Sequence, residues 1–320
     1  MCSTPVDDDS RRRTAKEACA LVPRQPGVYR FRDDRGRLLY IGRASDLRSR
    51  TRSYWGDLAG RRHLRRMVAQ IMSVEAVVCA SVHEASWLER NLLVRSKPRW
   101  NRTRGGQEVP RWLVLETRSD RPGLLLTHEA DPCRPSFGPY LGGDRSRVAQ
   151  RGILRAWPIH LTGSRRSGSE LAMAAARGVE TADRDQMLVD IGRLLDRDPL
   201  AVDEITARLL AARDAAVTGL RFETAQQIQD ELTAVAWLVS PQRVTASLPA
   251  ELAVHGWSDG VLVSFSGTRT HLDRWDVRRV GERDGQALAR LTPLEWRGFA
   301  TVNARLAADL AQAQGHVCGR

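Results

Sequence analysis

The sequence contains no apolar run that approaches the roughly 18 residues needed to cross a bilayer, so no membrane-spanning segment is expected. Its first ten residues, MCSTPVDDDS, are acidic and lack an apolar stretch, which excludes a secretory signal. Cysteine is scarce and never occurs as a CxxC pair, which argues against a disulfide scaffold or a four-cysteine zinc site and is typical of the reducing cytoplasm. The five cysteines are Cys2, Cys19, Cys79, Cys133 and Cys318.

Acidic residues are also under-represented, and the deficit is concentrated in the first third of the chain. The whole chain carries a formal net charge of +12 and a sequence pI near 10.5. From Arg11 to Arg104 there are 23 Lys and Arg against 8 Asp and Glu, a net charge of +15. This concentration favours an anionic partner, of which nucleic acid is the commonest. A basic surface that only keeps the protein soluble is the alternative.

Residues 21–104 are predicted to form a small α+β domain, an antiparallel sheet flanked by helices. The stretch GVYRFR alternates like a strand, DDRG is a turn, and RLLYIG returns as the second strand of a hairpin. Ser45 or Asp46 can cap the helix that follows. The predicted elements are strands at 27–32, 37–42 and 74–80 and helices from 45 to 54, 61 to 71 and 83 to 96.

The rest of the chain divides by composition. Residues 1–20 are predicted to be a disordered lead-in, and 105–160 an extension with a hairpin and the loop-like stretch SFGPYLGG. Residues 161–198 have weak periodicity and many small polar residues, which indicates a linker or helical region. Helical spacing at 199–240 predicts a helical hairpin. Residues 241–320 are predicted to be a short β-rich tail of unknown role, closed by a helix.

One group of side chains in the first domain fits phosphodiester cleavage. That reaction needs an aligned water, cations that stabilise the negative transition state, and usually a divalent metal held by a carboxylate. Arg50 and Tyr54 are four residues apart and share a helix face. Tyr29 and Tyr40 lie on the two strands of one hairpin, and Glu89 is an acid within a helix that also carries arginines. Ordinary packing of the tyrosines and a simple ion pair of Glu89 are the alternatives.

Several separated stretches resemble one known family. GVY at 27–29, followed by YIG at 40–42, resembles the signature of GIY-YIG nucleases. The longer run PGVYRFRDDRGRLLYIGRASDLRSRTRSY is similar to the amino-terminal domain of UvrC, the nuclease subunit of bacterial nucleotide excision repair. EASWLERNLLVRSKPRWN and SFGPYLGG resemble elements that follow in that family, in the same order.

The resemblance implies roles for individual residues. Glu89 matches the glutamate that holds one Mg²⁺ or Mn²⁺, and Arg50 matches the arginine that stabilises the transition state. Tyr40 matches the general base, although a phenol with a pKa of about 10 is a poor base at neutral pH. Arg43 and Trp100 replace a lysine and a tyrosine of the family. The implied catalytic set is Tyr29, Tyr40, Arg43, Arg50, Tyr54, Glu89 and Asn101. Charge alone adds a candidate DNA-binding set: Arg48, Arg52, Arg61, Arg62, Arg65 and Arg66.

The hairpin at 201–238 resembles the UVR motif, through which UvrC contacts UvrB. The candidate partner-binding residues are Phe222, Glu223, Ala225, Ile228 and Asp230. An ordinary antiparallel coiled-coil hairpin is the alternative. The residues after Pro241 are too few for the second nuclease domain and the helix-hairpin-helix repeats of full-length UvrC. The family has a cluster of cysteines between the two matched regions. This chain has only Cys133 on the near side of that place, so no iron–sulfur cluster is expected.

These observations predict an endonuclease that makes one incision, on the 3′ side, in damaged duplex DNA during nucleotide excision repair, with a UvrB-like protein as partner. The alternative is a DNA- or partner-binding adaptor that has lost turnover. An RNA-directed function rests on charge alone, since no stacking-aromatic RNP pattern is present.

Overall fold

The first two strands form the predicted hairpin. The structure is a computed structural model, and it describes residues 8–56, 64–101, 109–241, 251–268 and 271–315. In it, β1 (Gly27–Arg32) pairs antiparallel with β2 (Leu38–Ala44). The Asp33 carboxylate accepts hydrogen bonds from the backbone N–H groups of Arg35 and Arg37, which closes the turn. A third strand, β3 (Ser73–Val78), pairs with the other edge of β1, so the strand order is β2-β1-β3.

Helices flank this sheet as the α+β prediction requires. α2 (Leu47–Arg52) begins after Asp46, whose side chain accepts from the Ser49 N–H at 2.9 Å, and α4 (Val82–Ser96) begins after Ser81, which caps Glu84. The intervening α3 (Arg65–Val68) ends earlier than predicted, because the Met72 N–H already pairs with the Arg32 carbonyl at the approach to β3. Residues 61–63 of the predicted helix lie outside the described residues.

The disordered lead-in predicted for residues 1–20 is wrong for Asp8–Ala18, which form helix α1. Ala15, Ala18 and Cys19 are fully buried and pack into the same hydrophobic core as the β1 side chains. The many charged residues of this segment indicated disorder, but its small apolar residues recur at helical spacing and form a buried helix face. Residues 1–7 lie outside the described part of the chain.

The last part of the chain belongs to the same compact unit as the first. Contacts group residues 1–107 with 241–320, and residues 108–240 form a second unit. The closing segment contains an antiparallel sheet followed by two helices. These elements are β7 (Glu251–Ser258), β8 (Val261–Thr268), β9 (His271–Arg279), α10 (Glu282–Arg290) and α11 (Leu294–Ala313).

The second unit begins with a sheet of order β5-β4-β6. β4 (Arg111–Glu116) and β5 (Gly123–Thr127) are the predicted hairpin. The stretch SFGPYLGG is not a loop, because Ser136–Tyr140 pairs with β4 as strand β6. β6 is an edge strand with an irregular register, and edge positions are where a sheet tolerates glycine and proline.

Helices complete the second unit. α5 (Gly143–Ala156) packs on α9 (Phe222–Leu238), and α8 (Pro199–Thr218) runs back against α9 as the predicted hairpin. The region 161–198 is largely helical and contains α6 (Gly168–Arg177) and α7 (Arg184–Leu195). No helix in the ranges that the structure describes has the length and apolar character that crossing a membrane requires.

Candidate active site

The three predicted catalytic tyrosines meet on one side of the first sheet. Tyr29 pairs with Gly42 across the β1–β2 ladder, and Phe31 pairs with Tyr40, so these four residues share one face. The ring centroids of Tyr29 and Tyr40 are 6.2 Å apart. Tyr54, in the 3₁₀ turn after α2, places its ring 5.9 Å from each of them. The hairpin and α2 therefore build one aromatic cluster.

The hydroxyl groups of this cluster are directly linked. The Tyr29 and Tyr54 oxygens lie 2.7 Å apart, and the Arg50 Nε donates to the Tyr29 oxygen at 3.3 Å. The Arg50 guanidinium also lies over the Tyr54 ring, 5.4 Å from its centroid. Tyr29 and Tyr54 are fully buried, whereas Arg50 is partly exposed. Arg50 can therefore present donor groups to an anion while the phenols hold its other side.

Gly42 makes this cluster possible, and its role was missed in the sequence. A Cβ at this position would collide with the hydroxyl end of Tyr29 and would come within 2.7 Å of the Tyr40 ring. The backbone of β2 thus forms the floor on which both rings rest. The signal was present in the YIG triplet, but only the cross-strand register shows which side chains need the space.

Glu89 lies beside the tyrosine cluster on α4. Its Oε2 is 3.4 Å from the Arg43 Nε, and its side chain is 19% exposed. The Glu89 charge also acts on Tyr40 and helps to raise the pKa of that phenol. The structure thus brings Glu89, Arg43 and Tyr40 to one location.

One carboxylate with partial solvent access fits a single Mg²⁺ or Mn²⁺, because Mg²⁺ keeps several of its waters and uses one or two protein carboxylates. Among the described residues no group of three or more His, Cys, Asp or Glu side chains converges, so a site built only from protein ligands has no support there. The donor set therefore suits a hydrated divalent ion held through Glu89.

Asn101 contacts the site through the backbone of β2. Its Oδ1 accepts from the Ile41 N–H at 3.1 Å, and its Nδ2 donates to the Ile41 carbonyl at 2.7 Å. Ile41 lies between Tyr40 and Gly42, so the amide fixes the strand at the point where the cluster is built. The side chain of Asn101 thus holds the β2 backbone beside two residues of the candidate site.

The local electrostatics keep the phenols neutral and the guanidinium charged. Burial raises the pKa of Tyr40 above its ordinary value of 10.0, with Tyr54 and Glu89 acting in the same direction and Arg50 opposing. Burial also raises the pKa of Tyr29 well above that value. For Arg50, burial favours the neutral form, but the phenol oxygens of Tyr29 and Tyr54 outweigh it and raise the pKa. Arg50 alone therefore does not make Tyr40 a strong base at neutral pH.

The predicted DNA-binding arginines that the structure describes differ in accessibility. Arg52, Arg65 and Arg66 are exposed. The Arg48 Nε donates to the Val22 carbonyl at 2.7 Å, so part of this side chain is used within the fold. Arg61 and Arg62 lie outside the described residues.

The predicted partner-binding residues separate into two groups. Ala225 and Ile228 are buried in the core of the second unit, so they are not available as an open partner face, and the prediction is wrong for them in this respect. Their apolar spacing is explained by packing within the unit. Phe222 is 63% exposed at the start of α9, and Leu220, two residues earlier, is 74% exposed. Glu223 and Asp230 are also exposed.

The first part of the chain matches a known family model, and most of the chain is similar to curated proteins. The family model described as a UvrC-like GIY-YIG domain matches residues 25–102. UvrABC system protein C of Anaeromyxobacter sp. is 31% identical over 266 residues, which cover 78% of this chain and 36% of that protein. The same protein of Chlorobium chlorochromatii is 27% identical over 252 residues, covering 72% of this chain and 39% of the relative. The chain thus spans about two fifths of the length of the curated relatives it matches.

Solved structures are similar over the first domain. One is the crystal structure of the GIY-YIG N-terminal endonuclease domain of UvrC from Thermotoga maritima bound to its catalytic divalent cation, magnesium. It is 32% identical, and the match covers 27% of this chain and 94% of that chain with a TM-score of 0.25. A point mutant of the same domain, also bound to its catalytic divalent cation, is 30% identical with a TM-score of 0.26.

Proposed function

Because residues 25–102 form a GIY-YIG endonuclease domain of the UvrC type, we propose that this protein is a divalent-metal-dependent endonuclease that makes one incision, on the 3′ side of a lesion, in damaged duplex DNA. One observation carries the proposal. Arg50 and the linked hydroxyls of Tyr29 and Tyr54 lie on the same sheet face as Tyr40, and Glu89 lies beside that phenol. This arrangement offers a cation, proton-transferring groups and a metal-binding carboxylate to one phosphate.

Each side chain has a role that follows from its contacts. Arg50, held charged by the phenol oxygens, stabilises the negative charge that grows on the phosphate during cleavage. The pair of Tyr29 and Tyr54 fixes the Arg50 Nε and keeps the guanidinium oriented. Tyr40, the least buried phenol of the three, is placed to accept a proton from the attacking water.

A divalent ion at Glu89 would supply Lewis acidity at the phosphate and lower the pKa of water bound to it. Glu89 is the residue of this chain that would hold it, and Arg43 contacts the same carboxylate. Because burial raises the pKa of Tyr40, the phenol works as a base only when a positive charge is added next to it.

The surface around the site supports DNA as the substrate. Arg52, Arg65 and Arg66 are exposed and can neutralise backbone phosphates without reading sequence. For the second unit we propose contact with a UvrB-like protein through the 201–238 hairpin, where Phe222 and Leu220 expose apolar surface. Cysteine usage agrees with a cytoplasmic location.

The decisive experiment is a nicking assay on a lesion-bearing supercoiled plasmid with Mg²⁺, with and without a purified UvrB. Glu89→Gln removes the metal-binding charge with almost no change of shape, and it is expected to abolish nicking and leave DNA binding intact. The matched control is Glu17→Gln, an exposed glutamate on α1 of the same unit, which is expected to nick like the unchanged protein. Equal nicking by the two variants contradicts the proposal.

A second candidate is an adaptor that binds DNA or its repair partner without turnover. It is favoured by the Arg43–Glu89 ion pair, in which a guanidinium stands where the family has lysine, and by the raised pKa of Tyr40. DNA binding by the unchanged protein, with no nicking at any Mg²⁺ or Mn²⁺ concentration and with UvrB present, would identify this function.

A further inference from the structure

The outer edge of β3, which has no neighbouring strand, is covered by α11, the last helix of the described residues. Since the strand order is β2-β1-β3, the outer edge of β3 has backbone N–H and C=O groups without a strand partner. Two side-chain amides from the end of the chain fill these positions. Asn303 lies within α11, and Gln314 is the residue that ends it.

Each amide makes the two hydrogen bonds that a neighbouring strand would make. The Val78 N–H donates to the Asn303 Oδ1 at 2.7 Å, and the Asn303 Nδ2 donates to the Val78 carbonyl at 3.1 Å. The Val74 N–H donates to the Gln314 Oε1 at 2.8 Å, and the Gln314 Nε2 donates back at 3.0 Å. Asn303 is 1% and Gln314 9% exposed, so water competes little for these bonds.

Both amides are also fixed from their own helix. The Asn303 Nδ2 donates to the Phe299 carbonyl at 3.0 Å, and the Gln314 Nε2 donates to the Leu310 carbonyl at 2.8 Å. Every donor position of the two side chains is therefore occupied, and their orientation follows from α11 itself. We use the term edge clamp for these two amides and their bonds to β3.

Val74 and Val78, the two residues held by the edge clamp, lie on either side of the β3 residue that pairs with Tyr29. Across the β1–β3 ladder, Val78 pairs with Gly27, Val74 pairs with Phe31, and Ala76 between them pairs with Tyr29. The edge clamp thus fixes β3 two residues before and two residues after the partner of Tyr29. A shift of β3 would be transmitted through the ladder to the strand that holds the Tyr29 hydroxyl.

A second contact holds β1 from the opposite face. Arg30, next to Tyr29 in sequence and 5% exposed, places its guanidinium 3.9 Å from the ring centroid of Trp275 on β9 and donates to the Trp275 carbonyl at 2.6 Å. Arg30 also forms an ion pair with Glu75 on β3. In addition, Arg95 of α4 pairs with Asp273 at 3.2 Å. The closing segment therefore contacts the sheet at its edge and on the face away from the tyrosines.

We propose that Asn303 and Gln314 are positioning residues for the nuclease site, and that residues 251–315 act as a structural part of the nuclease rather than as a separate module. Neither amide contacts the reacting groups. They act through β3 and its pairing with β1, so the part of this proposal that concerns the reaction rests on the function proposed above.

The experiment uses the full chain with the double substitution N303A/Q314A. Amide hydrogen exchange at Val74 and Val78 is expected to accelerate at least about tenfold, since each N–H loses its acceptor. The NMR signal of the Tyr29 ring is expected to shift, and kcat for nicking to fall about tenfold while KM for DNA stays unchanged. Gln312→Ala, which removes an exposed amide from the same helix, is the matched control.

Unchanged exchange at Val74 and Val78 overturns the proposal, and so does faster exchange with an unchanged Tyr29 signal. The exchange and NMR measurements decide the question even if the unchanged protein does not nick DNA, so they are independent of the proposed function. If the double variant does not fold, the single substitutions N303A and Q314A are measured in the same way. Each removes one of the two amides and leaves the other in place, so a shift of the Tyr29 signal supports the proposal and its absence in both variants contradicts it.

Discussion

The hydroxyl oxygens of Tyr29 and Tyr54 lie 2.7 Å apart although 25 residues separate them in the chain. This bond joins β1 to the turn after α2, and Arg50 donates to the same Tyr29 oxygen. These two hydrogen bonds connect the sheet that carries Tyr29 and Tyr40 with the helix that carries Arg50. The geometry of the candidate site therefore depends on a hydroxyl network, in addition to the positions of single side chains.

Gly42→Ala should disable the site without unfolding the domain. The added Cβ would press against the Tyr29 hydroxyl and the Tyr40 ring, and overpacking of this kind costs about 1–3 kcal/mol of folding free energy. Nicking is expected to fall by at least about a hundredfold. The checks are chemical denaturation and the plasmid assay. Gly298→Ala, which meets no atom within 4 Å in α11, is the control and should keep full activity.

The buried phenols should make the protein lose stability at alkaline pH. Burial raises the pKa of Tyr29 and of Tyr40 above the unfolded value of 10.0, so between these values the unfolded chain binds fewer protons than the folded one. The stabilising contribution is thus complete below about pH 10 and is lost as the pH rises through the folded-state pKa values. Denaturation curves measured from pH 8 to 11 check this. Tyr40→Phe should flatten the decline, and an unchanged slope would contradict the assignment.

Arg43→Ala should strengthen binding of the divalent ion. Arg43 places a positive charge 3.4 Å from Glu89, which repels a cation bound to that carboxylate. Its removal is expected to tighten Mg²⁺ binding roughly threefold to tenfold at low ionic strength. Isothermal titration with MgCl₂ measures this directly and needs no DNA. Arg52→Ala, an exposed neighbour, should leave Mg²⁺ affinity unchanged, and equal effects of the two substitutions would show that Arg43 acts only through net charge.

Phe222→Ala should weaken binding of a UvrB-like partner and leave stability almost unchanged. The ring is 63% exposed, so its loss should alter the free energy of unfolding by no more than about 0.5 kcal/mol. The affinity for a purified UvrB is expected to fall at least about tenfold. Ile228→Ala, at a buried position of the same helix, should destabilise the unit by about 2–5 kcal/mol. Unchanged affinity of the Phe222 variant would remove the proposed docking site.

Local patterns predicted the parts of the fold that depend on near neighbours. The β1–β2 hairpin, the cap at Asp46 and the α8–α9 hairpin all follow from residues a few positions apart, and the structure confirms the α+β class. The apolar face of α9 was recognised but assigned to a partner, because periodicity shows that a face is buried without showing against what.

The missed features depend on distant residues. The bonds of Asn303 and Gln314 to β3 join residues 225 and 240 positions apart, and no local pattern marks a polar residue as a strand partner. Likewise, β6 is a strand because β4 offers it an edge, although its glycine and proline indicate a loop. The motif alone proposed the tyrosines, Arg50 and Glu89 as site residues, whereas the need for glycine at position 42 appears only in the cross-strand register.

The edge clamp has a consequence for synthesis of the chain. A ribosome releases β1 and β3 long before it releases α11, because more than 200 residues separate Val78 from Asn303. During that interval the whole second unit emerges and can fold first. The nascent sheet of β1, β2 and β3 lacks this support until α11 has emerged, so we expect the candidate site to become fully ordered only then. A polypeptide halted before Asn303 should be poorly ordered at this site.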